Sequence, residues 1–94
     1  MTKKHVPGKK KGDVMVYALS TCVWCRKTKE LLNSLGVDYY YTDVDTVEES
    51  NEREKIKKEI SKWNPSGAFP TIVVNNKECI VGFDEPKIKE ILGK

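Results

Sequence analysis

The stretch VMVYALSTCVWC, residues 14–25, decides the fold because it joins a short apolar run to two cysteines three positions apart. The β-branched and aromatic residues of Val14 to Leu19 are typical of a buried strand. From Val23 to Leu35 leucines recur with helical spacing, and Gly36 is suited to end a helix. The sequence therefore predicts that both cysteines lie between the end of a strand and the first turn of a helix.

The segment after this helix continues the alternation of strands and helices. Val37 to Asp43 is aromatic-rich and predicts a second strand, parallel to the first in a right-handed βαβ unit. Thr46 and Glu49 match a capping box for a second helix that ends near Asn64-Pro65.

The C-terminal third predicts a hairpin and one more helix. The segments AFPTIVV, residues 68–74, and ECIV, residues 78–81, flank the turn residues Asn75-Asn76. Asp84 is suited to cap a last helix, with Gly93 at its end. The complete pattern is βαβαββα, an α/β protein.

Length and charge set the domain organisation. The 94 residues suit a single domain, and the longest apolar run is far too short to cross a bilayer. Residues 1–12 carry five lysines without an apolar core, so we predict a disordered basic tail followed by a folded domain over 13–94. No secretory signal is evident, and no basic groove with interleaved aromatic residues indicates nucleic-acid binding, so a cytoplasmic location is expected.

The Cys-x-x-Cys pair is either a redox couple or half of a metal site. At a helix N-terminus the free backbone N–H groups favour a thiolate, which makes Cys22 the candidate nucleophile. Cys25 lies one turn later on the same face and is the candidate resolving thiol. Arg26 and Lys27 are candidates for electrostatic support of the thiolate, and Trp24 for an exposed rim that contacts partners.

A metal site is the competing interpretation of the pair. A closed zinc site needs four ligands, and only Cys79 and His5 remain to complete it, so no metal ligand set is assigned. An iron–sulfur cluster bridged by Cys22 between two protomers stays open as the alternative function. Cys79 is most simply a small buried apolar residue of the last strand.

Two long segments resemble the glutaredoxin family: CVWCRKTKELLNSLGVDYYYTDVD, residues 22–45, and AFPTIVVNNKECIVGFDEPKIKEIL, residues 68–92. The resemblance covers about residues 13–93. It implies a thioredoxin-like fold with a four-stranded mixed sheet and three helices. It also implies dithiol–disulfide exchange through a redox-active Cys22–Cys25 disulfide, in a monomer without a bound cofactor.

The resemblance also implies a substrate-binding set. Pro70 should be a cis proline that leaves the N–H and C=O groups of Phe69 free to pair with an extended peptide. The predicted substrate-binding residues are Thr21, Trp24, Phe69, Pro70, Gly82, Phe83 and Asp84. The expected partners are protein disulfides, with glutathione or a disulfide reductase as electron donor.

Some positions depart from the pattern of glutathione-using members. Val23 replaces a common proline, no lysine lies in ALST before Cys22, and Val81-Gly82 stands where many members have Gly-Gly. In these features the chain resembles the NrdH-type redoxins, which receive electrons from a thioredoxin-reductase-like enzyme and supply ribonucleotide reductase. The WSGFRP segment typical of that subgroup is replaced by NPSGAFP. We therefore expect weak glutathione binding at best.

Overall fold

The computed structural model describes residues 3–10 and 12–93, which form a mixed β-sheet with three α-helices. The strands, in chain order, are β1 Lys4–Val6, β2 Val14–Ala18, β3 Tyr39–Asp43, β4 Thr71–Val74 and β5 Glu78–Val81. Their order in the sheet is β1-β3-β2-β4-β5; β2 and β3 are parallel and the other neighbours are antiparallel. The βαβαββα pattern is confirmed from β2 onward.

The helices are α1 Val23–Ser34, α2 Ser50–Trp63 and α3 Glu85–Leu92, with a short 3-10 helix at Val44–Thr46. None of the helices in the described ranges is long and apolar enough to cross a membrane.

The helices leave the two faces of the sheet unequally covered. Every second residue of β2 is fully buried against α1 and α3, in a core that includes Val16, Ala18, Leu32, Ile88 and Leu92. On the other face, Met15 and Tyr17 are only half-buried beneath α2.

The N-terminal strand corrects two predictions. The sheet has five strands rather than four, and Lys4–Val6 is not disordered but pairs with β3 in the register His5 to Tyr40. Lys9 extends the attachment, since its N–H donates to the Gly36 carbonyl at 2.7 Å. This strand depends on its neighbour for hydrogen bonds rather than on its own propensity. Met1, Thr2 and Lys11 of the predicted tail, and Lys94, lie outside the described residues.

The helix caps show one wrong prediction and one confirmed prediction. Glu49 itself is the N-cap of α2, and its carboxylate accepts the N–H of Glu52 at 2.8 Å. Thr46 takes no part in this cap, because its hydroxyl donates to the Asp43 carbonyl. Asp84 caps α3 as predicted, accepting the N–H of Lys87 at 3.2 Å.

Candidate active site

Cys22 is the N-cap residue of α1, directly after the loop that leaves β2. Its backbone is extended, with φ −84° and ψ 120°, and its Sγ accepts the backbone N–H of Cys25 at 3.2 Å. The side chain is partly exposed. The sulfur therefore lies at the positive end of the helix and within reach of solvent.

Cys25 is in the opposite environment, since it is fully buried in the core formed by β2 and α1. Burial, followed by hydrogen bonding to Cys22, raises the pKa of the Cys25 thiol to about 12. The charge of Lys29 acts in the other direction and lowers this pKa. Although the residues are chemically identical and both thiols are free, the fold gives them different environments.

The loop before Cys22 is fixed by a carboxylate that sequence analysis missed. Asp45 accepts the Ser20 N–H at 2.8 Å and the Ser20 hydroxyl at 2.6 Å. These two hydrogen bonds hold the pKa of the Asp45 carboxyl below its usual value. Asp45 belongs to the 3-10 helix after β3, and neither residue is part of a local motif. Only the parallel pairing of β2 with β3 signals that their C-terminal ends meet.

Lys29 is a second residue that was not predicted. Its ammonium lies 2.9 Å from Asp43 Oδ1 and 4.0 Å from the centroid of the Tyr41 ring. Both charged side chains are mostly buried, at 22% and 17% exposure. Lys29 follows Cys25 by four residues and thus lies on the same helix face, a spacing that could have identified it. Asp43 thereby fixes the position of the Lys29 ammonium, the charge that acts on the buried thiol.

The Phe69-Pro70 peptide bond is cis, which confirms the expectation from the resemblance. Pro70 is buried and its carbonyl accepts the N–H of Gly82 at 2.8 Å. Gly82 has a φ of +77°, a conformation that favours glycine. The cis proline and the end of β5 are thereby joined, with Phe69 half-exposed at the adjacent position.

An aromatic rim lies at the start of α1. Trp24 is 55% exposed and stacks on Phe83, with 5.8 Å between ring centroids. Lys27 Nζ lies 4.8 Å from the Trp24 centroid, so this lysine covers the indole. Among the other predicted residues, Thr21, Arg26 and Asp84 are exposed. The structure thus brings together Trp24, Phe83 and Lys27 from the predicted set.

A cleft of about 520 Å³ opens beside the cysteine loop, between the strand ends and α2. Its lining includes Leu19, Asp45, Arg53, Lys57, Ile60 and Phe69. Arg53 is held in place because its guanidinium donates to the Val47 carbonyl at 2.6 Å and 3.0 Å. The cleft therefore combines apolar walls with two cationic side chains and one carboxylate.

The residues considered for a metal site do not join the cysteine pair. Within 3–10 and 12–93, no three or more His, Cys, Asp or Glu side chains are grouped so as to hold a metal ion. His5 instead hydrogen bonds to Asp38, with 2.9 Å between Nε2 and Oδ1. Cys79 lies on β5, in the last strand as predicted, but is only half-buried, and its backbone pairs with Val73.

Comparison with known proteins identifies relatives over most of the chain. The glutaredoxin family model matches residues 14–80. A glutaredoxin-like 8.6 kDa protein of Clostridium pasteurianum is 33% identical over 81 residues, which cover 86% of this chain and 99% of that protein.

Solved structures give the same result. The glutaredoxin of Methanosarcina mazei superposes with a TM-score of 0.90 at 48% identity, covering 100% of this chain and 90% of its own. The methanoredoxin of Methanosarcina acetivorans gives a TM-score of 0.88 at 49% identity, with coverage of 93% and 90%.

The fold, the family match and the cysteine geometry agree with one another. A partly exposed cysteine at a helix N-cap, a buried cysteine one turn later and a cis proline occur together in a thioredoxin-like sheet. This chain belongs to the glutaredoxin family, as a thiol–disulfide oxidoreductase with the redox pair Cys22-x-x-Cys25.

Proposed function

We propose that Cys22 is the attacking nucleophile and Cys25 the resolving thiol in the reduction of protein disulfides. The observation that carries this assignment is the difference in exposure: Cys22 is partly exposed at the N-cap, whereas Cys25 is fully buried. A partner disulfide can reach only the exposed sulfur. The N–H group of Cys25 stabilises negative charge on that sulfur at the helix terminus.

The reaction proceeds in two exchanges. Cys22 thiolate attacks one sulfur of the partner disulfide, forming a mixed disulfide and releasing the other partner sulfur as a thiolate. Cys25, once deprotonated, attacks Cys22 Sγ, which releases the second partner sulfur and closes the Cys22–Cys25 disulfide. The partner gains two electrons and two protons, and the enzyme loses them. No bound cofactor takes part, and an external donor must reduce the enzyme again.

Lys29 assists the second exchange. The Cys25 thiol, with a pKa raised to about 12, stays protonated in the reduced enzyme. Its proton must leave before Cys25 can attack. The Lys29 ammonium, held by Asp43, favours the thiolate and thus the resolving step.

The substrates are protein disulfides that dock on the aromatic rim of Trp24 and Phe83. These side chains offer an apolar surface at the helix that carries Cys22, and an extended substrate chain would pair with the Phe69 backbone beside the cis proline. Ribonucleotide reductase is one candidate, suggested by the similarity to NrdH-type redoxins. We place this activity in the cytoplasm and in a monomer.

For the electron donor we propose a dedicated disulfide reductase. Val81 is 46% exposed, and its branched side chain stands next to Gly82, where the backbone of a peptide-like thiol such as glutathione would have to approach.

The cleft with Arg53 and Lys57 favours a second candidate for the electron donor, a small thiol with an anionic group. A reduction assay with a thioredoxin-reductase system, glutathione, mercaptoacetate and uncharged 2-mercaptoethanol separates these donors. Preference for mercaptoacetate over 2-mercaptoethanol, lost in Lys57→Gln, would favour the small anionic thiol.

The oxidoreductase and iron–sulfur functions are separated by purification without oxygen. We expect colourless protein in which Cys22 and Cys25 are the thiols active in exchange, with catalytic reduction of a small disulfide. Visible iron–sulfur absorption with stoichiometric iron would instead support the bridged cluster.

A further inference from the structure

A second cavity, of about 430 Å³, lies at the end of the sheet opposite to the cysteines. It is bounded by Val14 at the start of β2 and by Asn76 in the β4–β5 turn, whereas Cys22 follows the other end of β2. Its aromatic walls are Tyr17, Tyr40 and Trp63, and its apolar floor includes Met15 and Val73. The redox chemistry described above does not use any of these residues.

The cavity exists because α2 covers only part of its sheet face. Met15 and Tyr40 are paired across β2 and β3 and therefore project to the same face. Trp63 is the last residue of α2, so the helix ends beside the exposed Tyr40. The cavity is of the size that small organic ligands occupy, about 300–1,000 Å³.

The polar groups around the cavity favour a cation. Asp13 and Glu59 contribute carboxylates, and each also has a lysine of the chain at the long end of ion-pair distance: Lys10 Nζ lies 3.7 Å from Asp13 Oδ1, and Lys62 Nζ lies 3.8 Å from Glu59 Oε2. Burial, followed by the negative charge of Glu59, raises the pKa of Tyr17, so this carboxylate lies close enough to act on the aromatic wall. Three electron-rich rings beside two carboxylates form the kind of environment that attracts ammonium groups.

An ammonium group of the chain already uses one of these rings. Lys3 Nζ lies 4.7 Å from the centroid of Tyr40, and Lys3 is also part of the cavity lining. His5 stacks on Tyr40 with 4.5 Å between centroids and thereby steadies the ring. Because Lys3 is exposed at the end of a short edge strand, an incoming cation can replace it.

We propose that this cavity binds an organic ammonium group, either a primary or a methylated amine. The rings of Tyr17, Tyr40 and Trp63 supply cation–π contacts, and Glu59 supplies the countercharge. Lys3 acts as an internal competitor for the site. The proposal does not depend on the redox function, because it concerns the other end of the sheet.

The direct test is an NMR titration of the full-length protein with choline and with its uncharged isostere 3,3-dimethylbutan-1-ol. We expect choline to shift the indole N–H signal of Trp63 saturably, and the alcohol to bind at least about twofold more weakly, as expected for loss of a cation–π contact. N-acetyl-lysine methylamide is a third probe; its relative affinity assigns the site to a lysine side chain or to a methylated amine. Equal binding of choline and the alcohol, or no saturable binding of either amine, would overturn the proposal.

Variants test the assigned charges. Glu59→Gln should weaken choline binding about two- to fivefold, and Lys3→Gln should strengthen it by a similar factor because the competitor is removed. Glu90→Gln is the matched control, since Glu90 is an exposed helical glutamate that does not line the cavity. Tyr40→Leu, at an exposed position, removes a ring without disturbing the core and should also weaken binding. Unchanged affinity in both Glu59→Gln and Tyr40→Leu would refute the site.

Discussion

Strand β3 has an anchoring aspartate at each end, and the two differ in what they hold. Asp38, just before β3, accepts the Gly8 N–H at 3.2 Å and hydrogen bonds to His5. Asp45, just after β3, accepts two hydrogen bonds from Ser20. The bonding is nearly the same, but one carboxylate attaches an edge strand and the other positions the loop that leads to Cys22. The comparison teaches that the function of an anchor depends on the segment attached to it.

The largest effects are expected at the cysteines, which lie near the end of β3 that carries Asp45. Cys22→Ser should reduce exchange to background without a trapped adduct, whereas Cys25→Ser should accumulate a stable mixed disulfide with the partner. Cys79→Ser is the matched control and should stay active. Mass spectrometry of each variant with a disulfide substrate measures the adducts. An adduct on Cys25 in the Cys22→Ser protein would reverse the assigned roles.

The two aspartates are compared directly by removing each carboxylate. Asp45→Ala should slow disulfide reduction roughly tenfold because the loop no longer holds Cys22 in place. Asp38→Ala should leave the rate within about twofold, since it releases only the edge strand. Stopped-flow kinetics with one disulfide substrate gives both rates. If both variants lost the same fraction of the rate of disulfide reduction, Asp45 would have no larger part than Asp38 in positioning Cys22.

Substitution of Lys29 tests whether disulfide exchange at the cysteines also depends on a nearby positive charge. Lys29→Gln should prolong the mixed disulfide about three- to tenfold, because the Cys25 thiolate loses its nearby ammonium while the first attack by Cys22 continues. Lys58→Gln is a suitable control, since Lys58 is an exposed lysine of α2 that belongs neither to the cysteine loop nor to the aromatic rim. Quenched-flow trapping of the intermediate separates the two steps. A slower first attack with unchanged resolution would contradict this role.

The buried cysteine should also make stability depend on pH. Because the folded-state pKa of Cys25 is raised to about 12, the folded reduced protein retains a proton that the unfolded chain releases near pH 8.5. The stabilisation that comes from this proton is complete when the pH is below the pKa of Cys25 in the unfolded chain. It is lost as the pH rises toward the pKa of Cys25 in the folded protein. Urea unfolding between about pH 8.5 and pH 12 should show a steeper loss of stability in the reduced wild type than in Cys25→Ala. Parallel curves for the two proteins would argue against the raised pKa.

The smallest effect is expected at the end of β3 where Asp38 attaches the edge strand β1. It concerns stability in acid rather than at high pH. Hydrogen bonding to His5 holds the pKa of Asp38 below its usual value, so this attachment contributes above about pH 4 and is lost as pH falls through the folded pKa. We expect His5→Ala to lower the midpoint of thermal unfolding slightly at pH 7, and the difference from wild type to shrink in acid. A constant difference down to pH 2 would show that His5 acts through its stacking on Tyr40 alone.

The sequence was informative where local chemistry determines the structure. Cys22 and Cys25 at the start of a helix, Asp84 as a cap and Asn75-Asn76 in a turn all follow from short patterns, and each agrees with the structure. The cis bond before Pro70 follows from the family resemblance rather than from a local sequence pattern.

The missed features depend on contacts between distant segments. Strand β1 is only three residues long and has no clear alternation, so its pairing partner determines its structure. Ser20 and Asp45 are separated by 25 positions, and only the parallel pairing of β2 with β3 brings their segments together. The Thr46–Glu49 capping box failed because the Glu49 side chain caps the helix more directly.

The short strand β1 also affects how this protein behaves at high concentration. Without it, the aromatic strand β3 would be the edge of the sheet, with a row of unpaired backbone groups able to recruit another chain. With β1 in place, the outermost strands within the described ranges are three and four residues long and carry Lys4 and Glu78. Because short charged edges resist strand-to-strand association, we expect β1 to protect a redox protein with aromatic strands from aggregation.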